Sequence, residues 1–133
     1  MIKKFLILIP LLFLISCSSN SKLILKTERD FQKAFNDIYF DGDGKLEVSV
    51  KYGRVDILTD DFAIEVDRLE KFHEGIGQSL HYAEETGKKP GLAIFIINPG
   101  KKDLKKLNYV KKLCGRYKIK VWYINKEIKK VKK

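Results

Sequence analysis

The chain of 133 residues has few of the residues that build metal clusters and disulfide frameworks. It contains two cysteines, two histidines, three prolines and one tryptophan. No cysteine/histidine group has the spacing of a zinc site. The chain also lacks any run approaching about 18 apolar residues, which excludes a multi-span membrane protein. Its length leaves room for one domain and not two.

Arginine is scarce as well, since 23 of the 27 basic residues are lysines. The net charge of +10 is unevenly placed: residues 1–100 hold 13 basic and 15 acidic residues, whereas residues 101–133 hold 14 and 2. Such asymmetry is typical of proteins that bind nucleic acid or anionic lipid, although AT-rich coding produces the same excess of lysine. If the basic surface is functional, we expect nucleic acid to bind Lys101, Lys102, Lys105 and Lys106.

The first residues have the pattern of a targeting segment. Two lysines precede an apolar run over residues 5–15, which is too short to span a bilayer of roughly 30 Å. The run ends in Leu-Ile-Ser-Cys at Cys17, which resembles the lipobox of bacterial lipoproteins. The resemblance implies a signal peptide over 1–16, an acylated Cys17 and a lipidated tether over 17–26. We therefore expect an extracytoplasmic protein anchored to the membrane of the bacterial cell envelope, the outer membrane if the cell is Gram-negative. The alternative is a plain secretory signal with an incidental cysteine.

Acylation of Cys17 would leave Cys114 as the only thiol, so no internal disulfide could form. Cys114 lies near the end of a helical pattern. A buried structural cysteine is the expectation there.

Hydrophobic periodicity predicts the order α-β-β-β-α-β-α-β in one α/β domain over residues 27–125, followed by a basic tail over 126–133. Thr27 suits the N-cap of the first helix. The second helix is predicted over 69–86, with Phe72, Ile76 and Leu80 on its apolar stripe and Gly87 as its end. The predicted strands cover 46–51, 54–58, 62–67, 91–97 and 118–125, and the third helix covers 101–116.

The second and third predicted strands form a hairpin that brings acidic residues together. A tight turn over 59–61 sets a register in which Ile57 pairs with Ile64 and Asp56 lies opposite Glu65. The period of two places the acidic residues on one face of the hairpin and the apolar ones on the other. The predicted apolar face consists of Val55, Ile57, Ile64 and Val66.

Two carboxylates placed opposite each other repel, because their Cβ atoms are about 4.5–5.5 Å apart. A bound divalent cation explains the pair, since Mg²⁺ and Mn²⁺ prefer carboxylate, carbonyl and water oxygens. The alternative is a solvent-exposed hairpin in which Arg54, opposite Asp67, neutralises the carboxylates. The spacing leaves both interpretations open.

Three features resemble motifs of the PD-(D/E)xK nuclease superfamily: Asp56, the Glu-Val-Asp run over 65–67 and the Gln-Ser-Leu-His-Tyr run over 78–82. The resemblance covers residues 27–125. It implies a restriction-endonuclease-like fold, an α-β-β-β-α-β core in a mixed sheet with an additional helix and strand. It also implies metal-dependent hydrolysis of DNA, with Mg²⁺ or Mn²⁺ held by Asp56, Glu65 and the carbonyl of Val66.

The second motif is similar to the Gln-x-x-x-Tyr of RecB-type nucleases. By this resemblance Gln78 positions the attacking water or the strand, and Tyr82 contacts nucleic acid, although core packing explains that tyrosine equally well. No small-molecule organic cofactor is expected.

The chain departs from the superfamily at Asp67, which stands where the motif has its catalytic lysine. Either Lys71, one helical turn further on, brings its ammonium to that place, or the domain is inactive and Asp67 pairs with Arg54. The candidate catalytic residues are Asp56, Glu65, Asp67, Lys71 and Gln78. The predicted function is a lipid-anchored DNA nuclease, and the alternative is an inactive lipoprotein that binds nucleic acid or another anionic polymer.

Overall fold

The structure is a computed structural model that describes residues 25–125. The predicted signal peptide, Cys17 and the basic tail over 126–133 lie outside these residues. The elements are α1 (Glu28–Tyr39), β1 (Lys45–Val50), β2 (Gly53–Leu58), β3 (Phe62–Arg68), a single 3₁₀ turn (Leu69–Lys71), α2 (Phe72–Thr86), β4 (Lys89–Ile96), α3 (Lys101–Arg116) and β5 (Lys120–Asn125). The predicted order is confirmed. No helix within the described range is long and apolar enough to cross a membrane.

The five strands form one mixed sheet in the order β1-β2-β3-β4-β5. The first three strands form an antiparallel meander, and β4 and β5 run parallel to β3. The parallel pairing follows from the crossover helices, because α2 and α3 each return the chain to the end of the sheet where the preceding strand began. The predicted α/β class with a mixed sheet is confirmed.

Helix α1 covers one face of the sheet, and α2 and α3 pack on the other. Strand β4 shows why both faces are apolar: Ala93 and Phe95 pack in the cluster that contains α1, whereas Leu92, Ile94 and Ile96 pack in the cluster that contains α2 and α3. Phe31 of α1 stacks on Phe95 with ring centroids 4.1 Å apart. A strand covered on both faces reads as a continuous apolar run, as predicted.

The start of α1 has a capping box. The Asp30 backbone N–H donates to Thr27 Oγ1, and the Asp30 carboxylate accepts from the Thr27 backbone N–H at 2.8 Å. Leu25 is only 1% exposed and belongs to the core on the α1 side. The domain therefore begins before residue 27, and the last residues of the predicted tether are part of it.

Helix α2 turns a different face to the sheet than its large apolar residues suggest. The buried positions are Phe72, Gly75, Ser79 and Tyr82, whereas Leu80 is 39% exposed. The predicted stripe through Leu80 is therefore wrong. Gly75 lets α2 approach the sheet closely, because a Cβ there would lie 2.7 Å from Leu92 Cδ1 and 3.6 Å from Asp67 Cβ.

Helix α3 follows the prediction over 101–116. Leu107, Val110 and Cys114 face the sheet. Cys114 is a free, fully buried cysteine, and burial raises the pKa of its thiol. The expectation of a structural cysteine is confirmed.

Candidate metal-binding and catalytic site

Strands β2 and β3 pair in the predicted register, but only over a short length. Ile57 pairs with Ile64 and Leu58 with Ala63, next to the turn. One step further along, the Val66 backbone N–H donates to Asp56 Oδ2 at 2.8 Å. In a continued antiparallel ladder this N–H would donate to the carbonyl of Val55, because hydrogen-bonded pairs alternate with non-bonded ones. A side chain thus replaces a backbone partner, and the ladder opens at Asp56.

The open ladder also explains how the Val66 carbonyl lies near the acidic residues. A strand residue in a hydrogen-bonding position directs its own N–H and C=O to the same neighbouring strand. The Val66 N–H points to β2, so its carbonyl points there as well. The predicted carbonyl ligand therefore faces the gap beside Asp56.

The hairpin of β1 and β2 bends at the same level. Glu47 adopts a left-handed conformation with φ +58°, and it lies between the pairs Leu46–Ile57 and Val48–Val55. Beyond the bend, Val55 packs with Ala63 and Tyr82, whereas Ile57 packs with Ile64 on the α1 side. The prediction that Val55 shares a face with Ile57 is wrong, because the bend turns the far end of the hairpin toward α2.

Three carboxyl groups are buried around this gap. The side chains of Asp56, Glu65 and Asp67 belong to residues that are 7%, 6% and 5% exposed. Glu65 Oε2 has no hydrogen-bond partner within the described part of the chain. Burial, and to a lesser degree the charges of Asp56 and Asp67, raise the pKa of Glu65 to about 9.

The two aspartates are less strongly affected. Burial raises the pKa of Asp56 to about 7 against the opposing effect of the hydrogen bond from Val66. Burial raises the pKa of Asp67 to about 6, against the hydrogen bond that Asp67 Oδ1 accepts from the Arg68 backbone N–H at 2.7 Å. At neutral pH the metal-free site therefore holds at least one proton, on Glu65.

Lys71 lies close enough to act on this cluster. It ends the 3₁₀ turn that directly follows β3, and its positive charge lowers the pKa of Asp67. The Lys71 side chain is exposed. That Lys71 takes the position of the missing motif lysine stays a prediction.

Arg54 takes no part in neutralising the cluster. Arg54 Nε lies 2.5 Å from Glu47 Oε2, and Arg29 of α1 contacts Glu47 Oε1 at 3.3 Å. Between residues 25 and 125 no ion pair reaches Asp56, Glu65 or Asp67. The alternatives in which Arg54 neutralises the acidic pair or pairs with Asp67 are therefore wrong, because the Arg54 guanidinium pairs with Glu47 of β1 instead.

The Gln-x-x-x-Tyr motif lies on α2, where Tyr82 packs with Val55 and Ala63. Gln78 is partly buried, and its Nε2 lies 3.5 Å from the Tyr82 hydroxyl. Tyr82 is 5% exposed, and its ring packs so closely on Gly53 that a Cβ there would lie 2.6 Å from Cε1. This burial favours core packing for Tyr82 over the predicted contact with nucleic acid.

The lysines predicted to bind nucleic acid are all exposed on the first turns of α3. Strands β3 and β4 run parallel, so their carboxyl ends lie at the same end of the sheet. Asp67 is near the carboxyl end of β3, and α3 begins shortly after β4 ends. The 3₁₀ turn that contains Lys71 also contacts α3. The four lysines, Lys101, Lys102, Lys105 and Lys106, therefore flank the end of the sheet where the carboxyl groups lie.

Two residues of α1 near the cluster were not identified from the sequence. Gln32 is 3% exposed and its side chain hydrogen-bonds to the Asp56 carboxyl. Glu28, one turn earlier, raises the pKa of Asp56, Glu65 and Asp67 by its charge. The sequence contains one signal for Gln32. It flanks the apolar stripe of α1 with an uncharged polar side chain, whereas the solvent face of such a helix usually carries charged residues.

The oxygen set at the gap fits a hard divalent cation in its chemistry. It offers two carboxylates, Asp56 and Glu65, and the carbonyl of Val66, and one carboxylate oxygen of Glu65 has no partner. Among residues 25–125 no group of three or more histidine, cysteine, aspartate or glutamate side chains is arranged so that it could hold a metal ion by itself. A cation bound here would therefore need oxygens from other groups as well, such as the peptide carbonyl and water.

Comparison with known proteins identifies one distant similarity. Over 78 residues the chain is 35% identical to a protein named "Putative KilA-N domain-containing protein" of Acanthamoeba polyphaga mimivirus. The similarity covers 59% of this chain and 30% of that relative. No family model matches the chain, and no solved structure matches it.

Proposed function

We propose that this chain is a metal-dependent nuclease that hydrolyses phosphodiester bonds in DNA. The observation that carries the proposal is the buried cluster of Asp56, Glu65 and Asp67 at a gap in the sheet, with no cationic side chain of the described residues paired to it. Burying several carboxyl groups without a cation costs several kcal/mol for each one that ionises. A bound divalent cation would offset this cost, because it supplies the positive charge that the cluster lacks.

The described residues support a division of roles. Asp56 is already oriented by the Val66 N–H, so the carboxylate is held in place before any cation binds. Glu65 releases its proton when it becomes a ligand, because metal ligands must be deprotonated and its pKa is about 9. A bound Mg²⁺ or Mn²⁺ would lower the pKa of a water ligand and offset the charge that develops on the phosphate.

Lys71 and Gln78 complete the site on the other side of the gap. The charge of Lys71 acts on Asp67, and in this proposal its ammonium hydrogen-bonds the attacking water or a phosphate oxygen. Gln78 lies on α2 and is partly buried, and in this proposal its amide holds the attacking water or the strand. Asp67 stands in the place of the motif lysine, and the positive charge of Lys71 acts on it.

The basic start of α3 supports a polyanionic substrate. Its four exposed lysines lie at the same end of the sheet as the carboxyl groups, so a phosphate chain that reaches the cluster also contacts the helix. A nucleic-acid ligand is compatible with the viral relative, whose name refers to a KilA-N domain and to no reaction.

We also propose that the protein acts outside the cytoplasm, anchored to the membrane through Cys17. This part of the proposal depends on the lipobox resemblance. We expect wild-type protein to partition into detergent and to incorporate labelled palmitate, and Cys17→Ala to remain an uncleaved precursor. Wild-type protein that is unlabelled and stays in the aqueous phase would contradict the anchor.

Plasmid cleavage tests the nuclease proposal. The full chain is incubated with plasmid DNA in Mg²⁺, in Mn²⁺ and in EDTA, beside Lys71→Ala, Asp67→Lys and the control Lys45→Ala at the opposite end of the hairpin. We expect metal-dependent cleavage by the wild type and by Lys45→Ala, strongly reduced cleavage by Lys71→Ala, and cleavage at or above the wild-type rate by Asp67→Lys.

The second candidate function is an inactive domain that binds nucleic acid, which the replacement of the motif lysine by Asp67 favours. Wild-type protein that retains DNA but leaves it intact in every metal would support this candidate and overturn the nuclease proposal.

A further inference from the structure

One buried amide on α1 has an oxygen without a hydrogen-bond partner. Gln32 is 3% exposed, and within residues 25–125 nothing donates to its Oε1. Leaving a buried acceptor unpaired costs about 1–3 kcal/mol. The side chain lies at the gap in the sheet, since it hydrogen-bonds to the Asp56 carboxyl.

The unpaired oxygen is not a general property of α1. Asn36, one turn after Gln32, is buried to the same degree at 4% exposure. Its amide is satisfied on both sides: Nδ2 donates to the Gly44 carbonyl at 2.9 Å, and Oδ1 accepts from the Gly44 N–H at 3.0 Å. The helix thus provides full partners for one buried amide and leaves the other incomplete beside the carboxyl cluster.

A second buried oxygen at the same place is also without a partner in the described range, namely Glu65 Oε2. Asp56 connects the two residues, because it accepts a hydrogen bond from Gln32 and its charge acts on Glu65. Two orphaned oxygens of different elements, α1 and β3, therefore lie beside one carboxylate. No cationic side chain among residues 25–125 pairs with either oxygen.

We propose that Gln32 supplies a third side-chain oxygen to the divalent cation of the Asp56–Glu65 site. This inference depends on the proposed function, since it extends the same cation site. Amide carbonyl oxygens are ordinary ligands of hard cations. A neutral ligand also suits this place, because another carboxylate would add to the repulsion among three buried acidic groups. One cation would give partners to both orphaned oxygens.

The test is the Mn²⁺ affinity of Gln32→Met in the full chain. Methionine has nearly the length and volume of glutamine but lacks the amide oxygen. The dissociation constant is measured from the electron paramagnetic resonance signal of free Mn²⁺, and the shift in melting temperature with Mg²⁺ gives a second readout. We expect Mn²⁺ binding on the order of 10-fold weaker, as for other residues that support a metal site. Lys33→Met, at the exposed neighbouring position, should bind Mn²⁺ as the wild type does.

Gln32→Glu keeps an oxygen at the same distance from the backbone and protects the test against a variant that fails to fold. We expect it to bind Mn²⁺ at least as tightly as the wild type, with a lower melting temperature in EDTA. Wild-type affinity in Gln32→Met would overturn the inference and leave the nuclease proposal standing. A lower melting temperature of Gln32→Met in EDTA together with unchanged Mn²⁺ affinity would also overturn the inference. The Gln32 oxygen would then accept a hydrogen bond from a protonated carboxyl group of the cluster instead. Absence of Mn²⁺ binding by the wild type would overturn the metal site itself.

Discussion

Strand β3 has two different sides. Toward β4 it is paired without interruption over seven positions, from Phe62 to Arg68. Toward β2 the regular pairing ends after Ile64, and beyond it Asp56 occupies the hydrogen-bonding place of a backbone carbonyl. The same strand is thus a closed ladder on one side and an open one on the other. The candidate site therefore lies where β3 lacks regular backbone pairing to β2, while its pairing to β4 keeps the strand in place.

The largest effect should come from the open side. Glu65→Gln removes a ligand and the charge that the cation needs, so we expect cleavage to fall by at least about 10²-fold, the scale on which one electrostatic contact at a reacting centre acts. The stabilisation by Mg²⁺ should also disappear, whereas the metal-free protein should be as stable as the wild type or more so. Plasmid cleavage and thermal melting measure these effects.

Glu70→Gln is the matched control for that variant, since Glu70 is exposed on the 3₁₀ turn. It should cleave and melt like the wild type. Equal loss of activity in both variants would mean that acidic charge in general, and not the cluster, controls the reaction.

The closed side should control stability instead. Ile64 is fully buried where the two ladders meet, against α1. Ile64→Ala should lower the free energy of unfolding by about 2–5 kcal/mol, because it leaves a cavity in the core. Urea denaturation in EDTA measures the loss.

Asp67→Asn, on the polar positions of the same strand, serves as the comparison. It should leave the free energy of unfolding unchanged or raise it, since it removes a buried group that can ionise. If both substitutions destabilised the domain equally, the division of β3 into a stabilising and a functional side would be wrong.

The pH dependence of stability should distinguish the two sides as well. The pKa values of Glu65, Asp56 and Asp67 are raised in the folded state to about 9, 7 and 6. The folded protein therefore holds more protons than the unfolded chain between the unfolded and folded pKa values, and its stability must fall as pH rises through that window. The slope is up to about 1.4 kcal/mol per pH unit for each group that titrates.

Urea denaturation in EDTA between about pH 5 and about pH 9.5 checks this prediction, because these limits enclose the raised pKa values. Glu65→Gln should remove the part of the slope above about pH 7. A free energy of unfolding that rises with pH across the window would show that the carboxyl groups are not desolvated.

The smallest effect should come from the exposed helix. Replacing Lys101, Lys102, Lys105 and Lys106 with glutamine should weaken DNA binding and flatten its salt dependence, with a change in log–log slope of about 0.9 for each phosphate that the protein no longer neutralises. Binding is measured at several salt concentrations in EDTA. Glutamine at Lys111 and Lys112, further along α3, provides the control, and an unchanged slope in the fourfold variant would mean that the lysine excess is compositional.

Much of the fold could be predicted because it is local. Three features depend only on residues that are close in sequence: the capping box at Thr27, the end of α2 at Gly87 and the continuous apolar run of β4. The register between Ile57 and Ile64 followed from a short turn. These patterns depend on periodicity and turn chemistry, which a single sequence contains.

The opening of the ladder could not be predicted in the same way. It depends on Asp56 competing with a backbone carbonyl and on the left-handed conformation of Glu47, and neither has a periodic signature. The register of β2 and β3 placed Arg54 opposite Asp67 and did not indicate its ion pair with Glu47 of β1. Gln32 was missed because a single glutamine on a helix acquires its meaning only when the helix packs against the strand that carries Asp56.

The bend at Glu47 has a further consequence for the outermost strand. Strand β1 lies at one edge of the sheet, so the N–H and C=O groups on its outer side have no neighbouring strand within the described residues. Straight, apolar outer strands recruit other chains and cause aggregation. Glu47 interrupts β1 in its middle with φ +58°, and it brings two arginines to the surface beside it. The interruption of β1 therefore makes this edge of the sheet a poor template for pairing with a strand of another chain.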